Sequence, residues 1–479
     1  MSSSNSDLKI YNSLTSQKEV FKSINNNIVG MYVCGPTVYN TVHLGNCRTF
    51  ISFDLIFRYL KHLGYKVRYV RNITDVGHLE DETQEDKISK RAKIEKLEPM
   101  EIVQKYTNDF KNTLQKFNLL NPNIEPTATG HIIEQINMIQ KIINNGFAYE
   151  KNGSIYFDLK EFNSKYKYGR LSRRNLDDLI NESRQLKGSD EKKNPQDFAL
   201  WKKAGKNHIM KWQSPWGNGF PGWHIECSAM GHKYLGQKFD IHGGGIDLKF
   251  PHHDCEIAQS ESVYGDNPAN YWIHTNMLTL NGKKMSKSLG NSVFPNEIFE
   301  GINKTFSKKF TPMTLKFFMY QAHYRNTLDI SNNALLGAEK GYEKIKTLNN
   351  DIQNLVPSNK NNFNVEEWVD KCYETLNDDF NSPKLIAKLF DLYKVVNEIN
   401  NGKKHINSTN LKILKKYFQI FYSEILGLNN NNSNQEKYDE ILDLIFELRE
   451  KERLNKNYEN SDYIRDRLKD FGINVNDKK

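Results

Sequence analysis

Hydrophobic and polar positions along the chain follow two periods, and the switches between them mark out its elements. From Ile28 the stretch IVGMYVCGPTVYN is β-prone and stops at Gly35-Pro36, where proline removes a ladder donor. After a loop, Phe50, Phe53, Ile56, Leu60 and Leu63 recur at three- and four-residue intervals, the spacing of one helix face, and Gly64 supplies a stop. VRYVRNIT, from Val67, is again strand-like. Strand, helix and strand within about 45 residues is the spacing of a crossover between parallel strands. The pattern predicts a doubly wound α/β domain whose first half covers residues 20–120.

Past Asn121 the pattern changes. HIIEQINMIQKIINNGFAYEK reads as helical, SIYFDL and DFALWK as strands, and NESRQLKGSDEKKNPQD as a polar loop. An α+β insertion over residues 121–215 is expected to interrupt the sheet, which FDIHGGGID and its surroundings, residues 216–278, then complete. A loop region over 279–330 follows. Beyond Ser331 the periodicity is helical throughout, as in LIAKLFDLYKVVNEI and LKILKKYFQIFYSEIL, and predicts a bundle over 331–430 and a separate C-terminal region over 431–479. NKNNFN and LNNNNSNQ read as solvated linkers, and no internal repeat is visible.

The length of 479 residues exceeds one typical domain, and 38% hydrophobic, 12% aromatic and 26% charged residues give the profile of a folded soluble protein. Net charge changes this picture only locally. The chain carries +9 overall, and eleven Lys/Arg against five Asp/Glu between Asn281 and Lys346 place +6 of it in one stretch, a surface suited to a polyanion. Five scattered cysteines, Cys34, Cys47, Cys227, Cys255 and Cys372, do not make a secreted disulfide framework and leave reduced thiols or metal ligands. The opening segment lacks an apolar core flanked by basic residues, so the cytoplasm is the expected location, and no apolar run is long enough to span a bilayer.

Candidate chemistry begins at Thr41-Val42-His43-Leu44-Gly45-Asn46, just ahead of the first predicted helix. A helix N-terminus exposes unpaired N–H groups, Gly45 lets a flat ring or a phosphate approach the backbone, and His43 can donate to phosphate oxygens. An ordinary helix start beside a loop histidine fits the same residues. Neither G-x-G-x-x-G nor G-x-x-x-x-G-K-[ST] occurs there. Far downstream, Asn281-Gly282-Lys283-Lys284-Met285-Ser286-Lys287-Ser288-Leu289-Gly290-Asn291 brackets small hydroxyl residues with lysines, which suits a polyphosphate leaving group and equally a solvated basic loop.

Taken together, His-x-Gly followed by Lys-Met-Ser-Lys-Ser resembles the HIGH and KMSKS signatures of class I aminoacyl-tRNA synthetases, with Asn46 standing where the family usually has His. MYVCGPTVYN, YVRNITDV, NPQDFALWK, PGWHIECSAM and DIHGGGIDLKFPHHDCEIAQS look like the blocks of cysteinyl-tRNA synthetases, in family order across most of residues 31 to 291. After about Asn350 only the helical character and DYIRDRLKDFGI resemble the family.

The resemblance implies a Rossmann-like catalytic domain that activates L-cysteine with ATP and transfers it to the terminal adenosine of tRNA(Cys). The enzyme is expected to act as a monomer without a membrane. The reading places His43, Gly45, Asn46, Asp247 and Lys287 at ATP, with His43, Asn46, Lys284 and Lys287 serving catalysis. Thr74, Trp223 and His242 are expected at the amino acid. Magnesium is expected with ATP. Transfer of the activated cysteine to a sugar amine, as in related ligases, is the alternative, and the long helical appendix speaks against it.

Cys34, Cys227, His252 and Glu256 are candidate metal ligands. His252 and Glu256, four apart, share one helix face, whereas nearly two hundred residues separate the cysteines, so no standard zinc spacing exists and buried structural thiols fit the residues alone. The resemblance carries one zinc ion per chain onto these four positions; of two rivals nearby, Cys255 and the adjacent His253, it reads Cys255 as a bystander. Zinc suits the discrimination of cysteine from serine, because sulfur for oxygen is too small a change for an apolar pocket to reject, whereas zinc bonds thiolate directly. With four protein ligands, the substrate thiolate is expected to add as a fifth or to displace Glu256.

Overall fold

The computed structural model describes residues 7–77, 87–174, 192–206, 208–222, 224–285, 290–429, 433–471 and 473. Two compact units result, Met1–Leu428 and Asn429–Lys479. At the centre of the first lies a sheet of four parallel strands, β1 (Ile28–Val33), β2 (Lys66–Arg71), β3 (Phe239–Gly245) and β4 (Ala269–Thr275), in the spatial order β4-β3-β1-β2. Helix α1 (Leu44–His62) carries the chain from β1 to β2, α2 (Ile225–Leu235) precedes β3, and α3 (His252–Tyr264) joins β3 to β4. The first crossover builds the sheet outward in one direction and the second in the other. Between β1 and β3 the order reverses, which opens a crevice beyond the carboxyl ends of the strands.

Close packing at that reversal is written into two glycines. A Cβ on Gly243 would lie 2.0 Å from Cζ of Phe53, and one on Gly35 1.6 Å from the carbonyl oxygen of Asn72. No side chain fits either place, so α1 and the turn after β1 press directly on neighbouring backbone.

Helix α1 departs from its expected one-sided burial. Cys47, Arg48, Ile51, Asp54, Leu55, Phe57 and Tyr59 are buried beside the predicted Phe50, Phe53, Ile56 and Leu60, because bundle helices cover the side turned away from the sheet. Leu63, expected on the apolar face, lies past the last turn as the cap and is 40% exposed.

The insertion holds helix Ile132–Asn144 and an antiparallel sheet of Ala148–Lys151, Ser154–Phe157, Phe198–Lys203 and Gly219–Pro221. Its apolar cluster includes Ile139, Phe157, Phe162, Leu200 and Trp201. Two expectations shift here. GFAYEK does not continue the helix: Gly146, at φ +84°, ends it and Ala148–Lys151 pairs as a strand. The sheet also runs on to Pro221, past the expected limit at 215, because Gly219 lies flat against Trp201.

The bundle begins as the periodicity predicts. Ser331 caps helix Asn332–Asn354 by accepting from the Ala334 N–H, and helices Val365–Asn377, Ser382–Asn400 and Ser408–Gln419 follow. Their apolar faces share one continuous core with the parallel sheet. The second unit contains helices Ser433–Leu454 and Tyr458–Asp470.

Candidate active site

A cavity of about 340 Å³ occupies the crevice at the reversal, lined among others by Cys34, His43, Gly45, Asn46, Asp247 and Lys284. Its floor is the start of α1. His43 is the N-cap: its Nδ1 accepts from the Asn46 N–H at 3.3 Å, while Asn46 Oδ1 accepts from the His43 N–H at 3.3 Å. This reciprocal box defines a role for Asn46, which fixes the entry of the chain into the helix and leaves the N-terminal dipole facing the cavity. Gly245 leads into the turn that carries the exposed Asp247, whose Oδ1 a Cβ on Gly245 would meet at 2.4 Å. Across the cavity, Lys283–Lys284 pairs with Thr279–Leu280 as a short antiparallel strand. Lys287 and Trp223 lie outside the described residues.

Next to the cavity, four ligand-bearing side chains converge from three elements. Cys34 follows β1, Cys227 stands in the first turn of α2, and His252 and Glu256 project from one face of α3. One ligand atom from each lies within 4.8 Å of the others, and all four residues are buried. The two Sγ atoms are 3.9 Å apart, Cys34 Sγ is 3.4 Å from His252 Nε2, and His252 Nε2 is 3.1 Å from Glu256 Oε1. Four bonds of about 2.3 Å in a tetrahedron set an S–S edge of about 3.8 Å, so the donor set and its spacing fit a soft divalent ion.

Electrostatics point the same way. Burial, then Cys227 and Glu256, push the Cys34 thiol well above the usual thiol range. Burial opposes charge on His252, yet Cys227 and Glu256 outweigh it and raise the imidazole well above its usual value. Burial likewise pushes the Glu256 carboxyl up, while His242 and His252 prevail and hold it at about 2. A pocket that favours an imidazolium at His252 and disfavours the Cys34 thiolate is one that a cation completes. On the far side, His242 Nε2 meets Glu256 Oε2 at 2.9 Å and its ring stacks on Trp272, 4.4 Å between centroids.

A family model described as the tRNA synthetases class I (C) catalytic domain matches residues 20–340, and a DALR domain model matches residues 371–430. A cysteine–tRNA ligase of Bacteroides thetaiotaomicron is 52% identical over 98% of this chain and 97% of its own length. That of Chlorobaculum tepidum is 44% identical over 98% and 97%. The chain belongs to the cysteinyl-tRNA synthetase family. Among solved structures, methionyl-tRNA synthetase of Mycobacterium tuberculosis in complex with methionyl-adenylate matches with a TM-score of 0.55 at 12% identity, over 83% of this chain and 89% of that one. The ternary complex of agnB2 LeuRS from Agrobacterium radiobacter K84 matches with a TM-score of 0.58 at 10% identity, over 84% and 85%. These likenesses show the class I fold.

The cysteinyl-tRNA synthetase reading of the sequence singled out residues that the structure places unevenly. His43, Gly45, Asn46, Asp247 and Lys284 share the cavity. Thr74 is buried below it, its Oγ1 accepting from Asn72 Nδ2 at 3.0 Å, and His242 faces Glu256. Cys255 turns away, with Sγ 3.3 Å from the Tyr168 hydroxyl in the insertion core. His253, named only as a rival adjacent to the ligands, is part of the site's surroundings: Cys34, His242, His253 and Glu256 form a second overlapping donor group, and His253 Nδ1 lies 2.8 Å from His274 Nε2. The only sequence signal for it was the doubled histidine at 252–253. Arg48 was also missed, although a cation between Cys47 and the apolar pair Phe50-Ile51 is a recognisable anomaly.

Proposed function

We infer that this chain activates L-cysteine with ATP and transfers the cysteinyl group to the 3′-terminal adenosine of tRNA(Cys). The observation that carries the reading is the junction of two sites: Cys34 belongs both to the ligand cluster and to the wall of the cavity that His43, Asn46 and Lys284 face. An amino acid held by its sulfur at that wall has its carboxylate directed into the ATP site. Relatives matched over 98% of the chain are named cysteine–tRNA ligase, and a DALR domain match follows the catalytic one, so transfer to a sugar amine has no support.

Neither chemical step needs a protein nucleophile. The cysteine carboxylate attacks the α-phosphate, pyrophosphate leaves, and a ribose hydroxyl of the tRNA end then takes the acyl group. The α1 N-terminus with His43, Gly45 and Asn46 binds the nucleotide phosphates, and Asp247 accepts from the ribose. Lys284 and Lys287 stabilise charge growing on the leaving group. Thr74, Trp223 and His242 bound the small substrate, His242 by holding Glu256 in place. Cys34, Cys227, His252 and Glu256 would hold one zinc ion, which would supply a soft Lewis acid for the substrate sulfur and so a basis for rejecting serine. Magnesium accompanies ATP. Among the described residues no helix is long and apolar enough to cross a membrane. The reading carries with it a monomer acting in the cytoplasm.

The test is cysteine-dependent ATP–pyrophosphate exchange and tRNA(Cys) charging by the purified protein. Both are expected, with serine inert. Exchange without charging would move the reading to a sugar-amine ligase, and absence of both would reject it.

A further inference from the structure

Arg48, one turn into α1, is only 1% exposed, and among the described residues its guanidinium makes hydrogen bonds to no carboxylate. It donates instead to four main-chain carbonyls: Asn276 at 3.0 Å, Met277 at 2.5 Å, His323 at 3.3 Å and Asn326 at 2.5 Å. Burial alone depresses its pKa, to about 10. Such a charge, taken out of water without a counter-ion, persists where its geometry is needed.

The carbonyls belong to two segments. Asn276-Met277 links β4 to strand Leu278–Leu280, which pairs with Lys283–Lys284, and also lines the cavity. Residues 323–326 lead into strand Leu328–Ile330, which pairs with Leu278–Leu280. The two segments bond to each other as well, Asn276 N–H to the Tyr324 carbonyl at 2.8 Å and Leu328 N–H to the Met277 carbonyl at 3.1 Å. One side chain two residues after Asn46 thereby ties both roots of the lysine-bearing sheet to the first turns of α1.

From the bundle, Asp379 grips the second segment. Its carboxylate accepts from the Tyr324 hydroxyl at 2.7 Å, Arg325 Nε at 2.6 Å and the Tyr11 N–H at 2.9 Å, and its carbonyl from His323 Nε2 at 3.0 Å. Asp379 and Phe380 are fully buried non-glycine residues at φ +64° and +53°, a strained pair that these bonds hold in place.

We propose that Arg48 and Asp379 are positioning residues for adenylate formation, fixing through backbone the gap between His43–Asn46 and Lys283–Lys284. The inference rests on the activation reaction given above and adds two residues that touch no substrate. In the full-length protein, Arg48→Lys keeps the charge but cannot reach both segments, and Asp379→Asn keeps the shape but weakens the grip. Each is expected to lower kcat of cysteine-dependent exchange by roughly 10- to 100-fold, with the KM for cysteine within about 2-fold. Backbone hydrogen exchange should speed up at residues 278–284 and stay unchanged in β1. Because one linkage is cut twice, the double variant should lose less than the product of the single losses.

Unchanged kcat in a folded Arg48→Lys protein, or losses that multiply independently, would overturn the proposal. Should Arg48→Lys fail to fold, Asp379→Asn alone decides by the same kcat and hydrogen-exchange readouts. If the unmodified protein shows no exchange at all, the activity reading has failed, and unaltered hydrogen exchange at 278–284 in the variants would separately reject the linkage.

Discussion

Cys34 and Cys227 stand 193 positions apart in the chain, yet their Sγ atoms meet at 3.9 Å, one contributed by the end of a strand and the other by the first turn of a helix. Replacing either sulfur leaves three donors that no longer match a soft ion. Cys227→Ser is expected to lose most bound zinc on purification and to raise the KM for cysteine by at least about 10-fold, with less effect on the KM for ATP. Metal analysis alongside exchange kinetics checks this, and a full complement of zinc in the variant would reject the ligand assignment.

In the proposed reaction, the two lysines assigned to the phosphates would act on charge that appears in the transition state. Lys284→Ala and Lys287→Ala should each slow activation on the order of 100-fold while cysteine affinity stays nearly intact. Pre-steady-state adenylate formation measures the rate directly. An unimpaired rate in both would remove them from the mechanism.

Asn46 closes the box at the start of α1, so its loss should be felt twice. Asn46→Ala is expected to cost about 1 kcal/mol of stability in urea unfolding and to raise the KM for ATP. A change in stability with unaltered ATP use would leave Asn46 a capping residue only.

Lys316 is fully buried, its Nζ 3.1 Å from Asp54 Oδ2, 3.2 Å from the Asn118 carbonyl and 3.3 Å from that of Gly427. Burial lowers its pKa from 10.5 to about 8 against the pull of Asp54. Between those values the unfolded chain binds more protons than the folded one, so this group makes stability rise with pH across that window. It imposes its full penalty below about pH 8. The stability of the wild type relative to Lys316→Met should therefore improve by roughly 3 kcal/mol from the lower to the upper limit of the window. Paired denaturation curves across the window check it, and a constant difference would show that the lysine titrates normally.

What the sequence by itself determined is local. The β1–α1–β2 crossover, two of the insertion strands (Ser154–Phe157 and Phe198–Lys203), the glycine run of β3 and the bundle starting at Ser331 could be read because each rests on a period of two or of about 3.6 among near neighbours, or on a cap. The block resemblance named the candidate ligands as well. The tertiary structure alone decided how distant pieces meet. It placed β3 beside β1, brought His252 to Cys34 across 218 positions, and turned Cys255 toward Tyr168. It buried α1 on almost every side and directed Arg48 at four carbonyls. Those outcomes depend on which surfaces fit together once the elements exist. Shape and charge complementarity between segments hundreds of residues apart leaves no period along the chain from which it could be read.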